Sequence, residues 1–380
     1  METKKIIITG VSGMDGSHMA DHLLENTHFE IYGVVRRASK PDYGNLSLSI
    51  NNPRLKLVVG DLSDSQSMDK VVEQIKPDYF INLAAQSFVK SSWELPEQTM
   101  DVNATGVMRC LEAIVRHAPN CRFYNAGSSE QFGDVQYSPQ DEKHPHRARS
   151  PYGASKIAAH QIVKTYRESF NLYAIQGLLF NHESPRRGEE FVTRKITLGV
   201  ARIAKAIKNK QLFEPIELGN IDSKRDWSHA KDFVDGIWRM LNQDIYRVDW
   251  DEKREEAEYQ GDYDIIDFDE IKDIKEYVLS SNETHTIKEF IELAFNEANI
   301  EGVWIGEGEN QKYTIINHIL EDNDNIKSNV LVRINPKFYR PADVEILLGD
   351  SSLARKELGW TPKYDFKSLV REMVMSDLAE

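Results

Sequence analysis

The sequence predicts an α/β fold in which a doubly wound parallel sheet is joined by a second, smaller α/β domain. Three observations lead there. Short apolar runs recur along the early part of the 380-residue chain and alternate with helical patterns such as DVNATGVMRCLEAIVRH. Alternation of this kind builds parallel βαβ units. The first apolar run ends in a glycine-rich turn, TGVSGMDG, from Thr9 to Gly16. From Asn181 onward the alternation breaks down, and a set of basic residues lies in the segments that follow.

The first strand is expected at Lys5–Thr9, where Ile6, Ile7 and Ile8 suit burial on both faces of a parallel sheet. A helix is expected over Ser17–Glu25, with Met19, Leu23 and Leu24 on one stripe. Between them, Gly10, Gly13 and Gly16 allow a tight turn. They also let a pyrophosphate reach backbone N–H groups at the helix N-terminus, where the dipole favours negative charge. Asp15 lies in the same turn and is placed with the cofactor residues. The spacing differs from the usual G-x-G-x-x-G fingerprint. Strand, turn and helix nevertheless stand in the order of a Rossmann-type nucleotide site. The second strand, Glu30–Val35, ends in Arg36 and Arg37. NAD binders commonly carry an acid about 20 residues past the glycines. None stands here, and guanidinium groups suit a 2′-phosphate, so NADP is expected. The other reading of the two arginines is solvated loop charge.

Further strands are expected at Leu55–Val59, Tyr79–Leu83, Arg122–Ala126 and Leu172–Leu178. The fifth runs into GSSEQFG, which sets Ser128, Ser129 and Glu130 past its C-terminal end, where open α/β sheets bind ligands. A hydroxyl there can hydrogen-bond an oxygen that gains charge, and a carboxylate can move a proton. The alternative is that these residues cap the next helix. In PYGASK, Pro151 suits a first helical turn, and Tyr152 and Lys156 share one face at i and i+4. An ammonium beside a phenol favours the phenolate and lowers the tyrosine pKa toward the range of a working base. Glycine turn and tyrosine–lysine pair together point to a nicotinamide-dependent enzyme.

Four longer strings carry a resemblance. They are FNHESPRRGEEFVTRKIT (Phe180–Thr197), LGNIDSKRDWSHAKDFV (Leu218–Val234), RASK after the second strand, and FYRPADVEILLGD (Phe338–Asp350). With the motifs above they resemble the GDP-mannose 4,6-dehydratase family, within the extended short-chain dehydrogenases/reductases, from about Lys4 to about Leu378. The resemblance implies a lyase that recycles NADP: hydride leaves C4, water is eliminated across C5 and C6, and hydride returns to C6. It implies Tyr152 as the base at the C4 hydroxyl, Lys156 as its assistant at the nicotinamide ribose, and Glu130 as the C5 base. Ser128 stands where the family usually has threonine; it keeps the hydroxyl but loses the methyl that stiffens the rotamer. Asp61 and Leu62 would flank the adenine, and Leu83, Ala84 and Ala85 would line the cofactor channel. Asn181, Glu183, Arg186, Lys195, Leu218, Gly219, Arg225, Arg340 and Glu345 would form the GDP-sugar site. Arg36 to Ser39 would reach a neighbouring subunit, which implies a homo-oligomer, a tetramer. The domains implied are 1–180 and 218–284 for NADP, and 181–217 and 285–380 for the GDP-sugar. Alternatives are a related nucleotide-sugar epimerase or reductase, a GDP-heptose 4,6-dehydratase, and an inactive NADP-binding regulator.

Independently of the resemblance, Arg186, Arg187, Lys195, Arg225 and Arg340 read as a phosphate clamp, since guanidinium–phosphate contacts are strong and directional. The net charge of −14 argues against a nucleic-acid partner. There is no apolar run long enough to span a membrane, METKK lacks the apolar core of a signal peptide, and only two cysteines occur. A cytoplasmic protein is expected. No His or Cys cluster has metal-ligand spacing, so no metal is expected. From Asp249 to Glu276, thirteen acids stand against four basic residues, a net of −9. Such a run reads as a solvated insert, with a lid or subunit contact as the sharper alternative.

Overall fold

The computed structural model describes residues 3–39, 43–243, 274–316, 329–339 and 346–380. At its centre lie β1 (Lys5–Thr9), β2 (Glu30–Val35), β3 (Leu55–Val59), β4 (Tyr79–Asn82), β5 (Arg122–Ala126) and β6 (Ala174–Leu179), each close to its expected bounds. Four short strands follow: β7 (Asn181–Glu183), β8 (Ile216–Leu218), β9 (Lys224–Arg225) and β10 (Trp227–His229). β11 (Val278–Leu279), from EYVLSS, then returns to the central sheet. The resulting seven-stranded order is β11-β6-β5-β4-β1-β2-β3, and every pairing is parallel. The chain runs outward from β1 in both directions. The crevice beside β1 and β4 is therefore a topological switch point, where such sheets bind ligands.

Successive strand residues point to opposite faces, and both faces are covered. Ile6 and Ile8 join a core beneath the helices Met14–Asn26 and Ala230–Leu241. Ile7, Phe80 and Phe123 join another, under Ser65–Ile75, Gly106–His117 and Pro151–Phe170. This two-sided cover is why Ile6 to Ile8 read as an unbroken apolar run. The first helix begins at Met14, ahead of the expected Ser17, because Gly16 belongs to its first turn and packs on Gly10.

Past β6 a separate core forms. β12 (His285–Thr286) and β16 (Ile346–Leu347) flank β9 in a three-stranded sheet. β13 (Gly302–Ile305), β14 (Lys312–Ile315) and β15 (Val330–Ile334) build a four-stranded sheet with β8. The helices Val192–Lys208, Ile287–Glu297 and Phe366–Ala379 supply Ile196, Val200, Phe290, Phe295 and Met373 to that core.

Most of the acidic run, 249–273, lies outside the described residues. Where the described chain resumes, Ile274 packs on the central core. Glu276 pairs with His160 and, at 3.1 Å, with Arg167, both on the helix Pro151–Phe170.

The glycine turn sets a testable limit on this packing. A Cβ on Gly16 would stand 2.2 Å from the Gly10 carbonyl oxygen and 2.6 Å from Val11 Cα, both backbone atoms. One on Gly13 would meet only that carbonyl oxygen, at 3.2 Å. Gly16→Ala should lower the unfolding free energy by about 2–3 kcal/mol, as overpacking does, and Gly13→Ala by much less. Matching urea midpoints for Gly16→Ala and the unsubstituted protein would show that the turn relaxes.

Candidate active site

The site starts at the switch point. Gly10 takes φ +67°, and a Cβ there would lie 2.8 Å from the Ala84 nitrogen. The glycine turn therefore rests directly on Leu83 and Ala84 as the chain leaves β4. Ala84 N–H also donates to the Thr9 hydroxyl at 3.2 Å. The helix Met14–Asn26 opens at Gly13 without a side-chain cap. Its first N–H groups are left for an anion, and a Cβ at Gly13 would narrow the approach to them. These features fit a dinucleotide pyrophosphate. Arg36 is exposed just beyond β2. Past β3, Asp61 accepts from the Ser63 N–H and hydroxyl at 2.9 and 2.7 Å, while Leu62 is buried.

Ser128, Glu130, Tyr152 and Lys156 meet at the C-terminal end of β5. Ser150 caps the helix Pro151–Phe170 by accepting from Gly153 N–H at 3.0 Å. That fixes the first turn, and with it Tyr152. The capping reading of Ser128 holds, since its hydroxyl accepts from Glu130 N–H at 3.3 Å; the same hydroxyl stands beside the Tyr152 phenol and favours its ionised form. Lys156 Nζ donates to the Ala126 carbonyl at 2.7 Å and lies 5.8 Å from the centre of the Tyr152 ring.

The electrostatics correct one expectation. Tyr152 is not brought down by Lys156. Burial pushes its phenol up to about 12, with the Ser128 hydrogen bond and Arg187 opposing and Glu130 adding to the rise. Burial also pulls the Lys156 ammonium down to about 8, against the raising influence of Asp15. Helix spacing sets the two side chains on one face, but the low-polarity surroundings decide their protonation. Asp15 itself is half-buried. Burial works to raise its carboxyl, and the His182 charge and hydrogen bond outweigh that and hold it down.

Comparison with known proteins fits this arrangement. The sequence profile of the GDP-mannose 4,6 dehydratase family matches residues 7–258 and 264–373. The chain belongs to the GDP-mannose 4,6-dehydratase family. It is 42% identical over 383 residues to the GDP-mannose 4,6 dehydratase of Drosophila melanogaster, across 99% of this chain and 86% of that protein. It is 40% identical over 388 residues to that of Vibrio cholerae serotype O1, across 100% and 95%. Solved structures share the fold at low identity. One is a dTDP-glucose 4,6-dehydratase from Streptomyces venezuelae with NAD and TYD bound (TM-score 0.73, 18% identity, 98% of this chain and 96% of that one). Another is the RMD protein of Pseudomonas aeruginosa complexed with NADPH (TM-score 0.69, 19% identity, all of both chains).

In this family member the expected sugar-site residues fall into groups. Asn181 opens β7, and its Oδ1 is buried without a hydrogen-bond partner among the described residues. Arg186 Nη2 donates to Asp21 at 2.6 Å, while its Nη1 is buried and unpartnered among the described residues. Glu183 is buried, with its carboxylate taken by the Thr193 hydroxyl at 2.6 Å and by Arg187 at 3.1 Å, so here it braces the 183–193 loop. Lys195 donates to the Glu217 carbonyl at 2.7 Å and sits 3.9 Å above the Phe338 ring. Gly219, after Leu218, lets the Phe338 carbonyl approach to where a Cβ would meet it at 2.6 Å. Arg225 lies in the three-stranded sheet, on β9. Arg340 and Glu345 lie outside the described residues.

The sequence reading passed over His182, which binds Asp15 at 3.0 Å and stacks on Phe233. It also passed over the buried amides Asn82, Asn125, Gln131 and Gln176. A polar residue closing each of the apolar runs IIIT, YFIN and RFYN was the available signal.

The depressed Lys156 has a measurable consequence. Folded Lys156 holds its proton less firmly than the unfolded chain, so between pH 8 and 10 the unfolded state binds more protons and stability rises with pH. The drop from 10.5 to about 8 is worth at most about 3 kcal/mol. Lys156→Met should flatten this rise in denaturant unfolding. Parallel stability–pH curves for the two proteins would show that Lys156 is not held down by burial.

Proposed function

We propose that this chain is a nicotinamide-dependent hydro-lyase that converts GDP-mannose to GDP-4-keto-6-deoxymannose. The carrying observation is Glu130 beside Tyr152 at the end of β5, in a chain that matches the family along nearly its whole length. A tyrosine base alone serves oxidation; removal of a C5 proton needs a second base, and Glu130 is the carboxylate at hand. A nicotinamide cofactor held at the turn of Gly10, Gly13 and Gly16 would supply the hydride acceptor for C4 and the hydride donor for C6. Tyr152 accepts the C4 hydroxyl proton while Ser128 hydrogen-bonds the same oxygen. Burial alone disfavours the phenolate form of Tyr152 that this step uses; Lys156, still mostly an ammonium at neutral pH and on the same helix face, is the cation placed to balance it once substrate is bound. Glu130 removes the C5 proton and passes a proton to the C6 hydroxyl, which leaves as water. The proton that Tyr152 took from the C4 hydroxyl goes back to C5 as hydride reaches C6, which restores the phenolate; C4 is oxidised and C6 reduced, so the cycle needs no outside oxidant.

Mass spectrometry of protein incubated with GDP-mannose tests this, with loss of one water expected. Tyr152→Phe should cut turnover by roughly 10²-fold or more, the typical contribution of a positioned acid/base. Glu130→Gln should still reduce the bound nicotinamide yet release no dehydrated sugar. Full-rate product from Glu130→Gln would remove Glu130 from the C5 role.

We further propose NADP as the cofactor, with Arg36 at its 2′-phosphate, because the end of β2 carries cations and no acid. Arg36→Ala should weaken NADP at least tenfold and leave NAD nearly unchanged; equal weakening of both would exclude that role. Residues 1–180 and 218–284 would serve the cofactor, and 181–217 and 285–380 the GDP-sugar. A homotetramer in the cytoplasm completes the reading. The two buried free cysteines, Cys110 and Cys121, suit a reducing compartment. Light scattering at the mass of one chain would exclude the tetramer.

A further inference from the structure

We infer that Gln131 is a positioning residue for Ser128: its carboxamide ties the turn that carries the serine to a buried row of hydrogen bonds that begins at the nucleotide-binding turn. The inference rests on the proposed role of Ser128 in the reaction.

The row follows strand register. Thr9 on β1 is level with Asn82 on β4, Asn82 with Asn125 on β5, and Asn125 with Gln176 on β6. All four are buried. The Thr9 hydroxyl donates to Asn82 Oδ1 at 2.5 Å, Asn82 Nδ2 to Asn125 Oδ1 at 2.7 Å, and Asn125 Nδ2 to Gln176 Oε1 at 2.5 Å. Gln176 Nε2 then donates to Gln131 Oε1 at 3.0 Å and to the Lys156 carbonyl at 3.2 Å. Every step runs in the same sense, an arrangement in which each bond polarises the next. Because the first four members are fixed by sheet pairing, the row cannot slide without moving strands. It therefore offers a rigid reference point beside the turn.

Gln131 connects that reference to Ser128. It closes the short 3₁₀ turn Ser129–Gln131, and its Oε1 accepts the Ser128 backbone N–H at 2.9 Å. Two donors, from Ser128 and Gln176, converge on that atom, which identifies it as the oxygen end of the amide. The other end is informative too. Gln131 is fully buried, and its Nε2 has no hydrogen-bond partner among the described residues. A buried donor without a partner is costly. Leucine or methionine would fill the space without that cost. What they cannot supply is the acceptor for Ser128. Holding the serine's backbone restricts where its hydroxyl can go, which matters more for serine than for a β-branched residue with a stiff χ1.

The test is Gln131→Met, alone and combined with Ser128→Thr. We expect Gln131→Met to lower kcat for GDP-mannose dehydration about tenfold with KM changed less than twofold. On the Ser128→Thr background it should cost less than threefold, because the threonine's own stiffness replaces the lost anchor. A readout without turnover is amide hydrogen exchange: the Ser128 N–H should exchange at least tenfold faster in Gln131→Met, with β1 and β4 keeping their protection. Unchanged exchange at Ser128, or equal kcat losses on both backgrounds, would overturn the inference. If the unsubstituted protein does not dehydrate GDP-mannose, the functional reading fails while the exchange measurement still decides the anchor. Gln131→Glu keeps the acceptor and loses only the unpartnered donor. It serves if Gln131→Met does not fold: near-native exchange at Ser128 supports the inference, and tenfold faster exchange overturns it.

Discussion

The ammonium of Lys156, 2.7 Å from the Ala126 carbonyl, joins the helix Pro151–Phe170 to the end of β5, and the candidate chemistry depends on that junction. It holds Tyr152 over the turn that carries Ser128 and Glu130. It also takes a positive charge out of water, and the cost appears in the side chains around it. One cause moves the pair in opposite directions: the same burial that raises the phenol lowers the ammonium. The two groups thus stand further apart in proton affinity than they would in solvent, with the phenol at about 12 holding its proton far more firmly than the ammonium at about 8.

The segment proposed to face the sugar is governed by a different balance. Its cations are already spoken for in part, Arg186 by Asp21, Arg187 by Glu183, and Lys195 by a carbonyl and an aromatic face. Such pairs keep long side chains ordered before a ligand arrives, which cuts the entropy lost on binding. Asn181 Oδ1 and Arg186 Nη1 are buried atoms in that segment without a hydrogen-bond partner among the described residues. Most of the chain's net negative charge comes from elsewhere in the sequence, the run from Asp249 to Glu276, so the net charge of −14 describes that run more than it describes the site.

What was legible in the sequence was what is local. β1 to β5 announce themselves as apolar runs, and the i, i+4 spacing of Tyr152 and Lys156 sets them on one face without reference to anything else. The start of the first helix was misplaced because Gly16 looks like turn and is in fact helix. The protonation of Tyr152 was misjudged because it depends on burial by distant segments. Glu183 was assigned to the sugar site by resemblance alone, and only packing shows its carboxylate held by Thr193 and Arg187. The amide row was invisible for the same reason. Thr9, Asn82, Asn125 and Gln176 are far apart in sequence, and nothing but strand register brings them level.

The pairing of Glu276 with His160 and Arg167 has a consequence for the chain's history. It pins the point at which the chain comes back to the sheet, immediately before β11 adds to the edge of β6. A segment entering a strand through a fixed mooring cannot pass an error in its own length on to the strand. Loop closure costs rise only slowly with length. Residues could therefore be gained or lost upstream of Ile274 over evolutionary time while β11 kept its register and the helix bearing Tyr152 kept its seat. The mooring makes this edge of the sheet a place where length is free to drift and geometry is not.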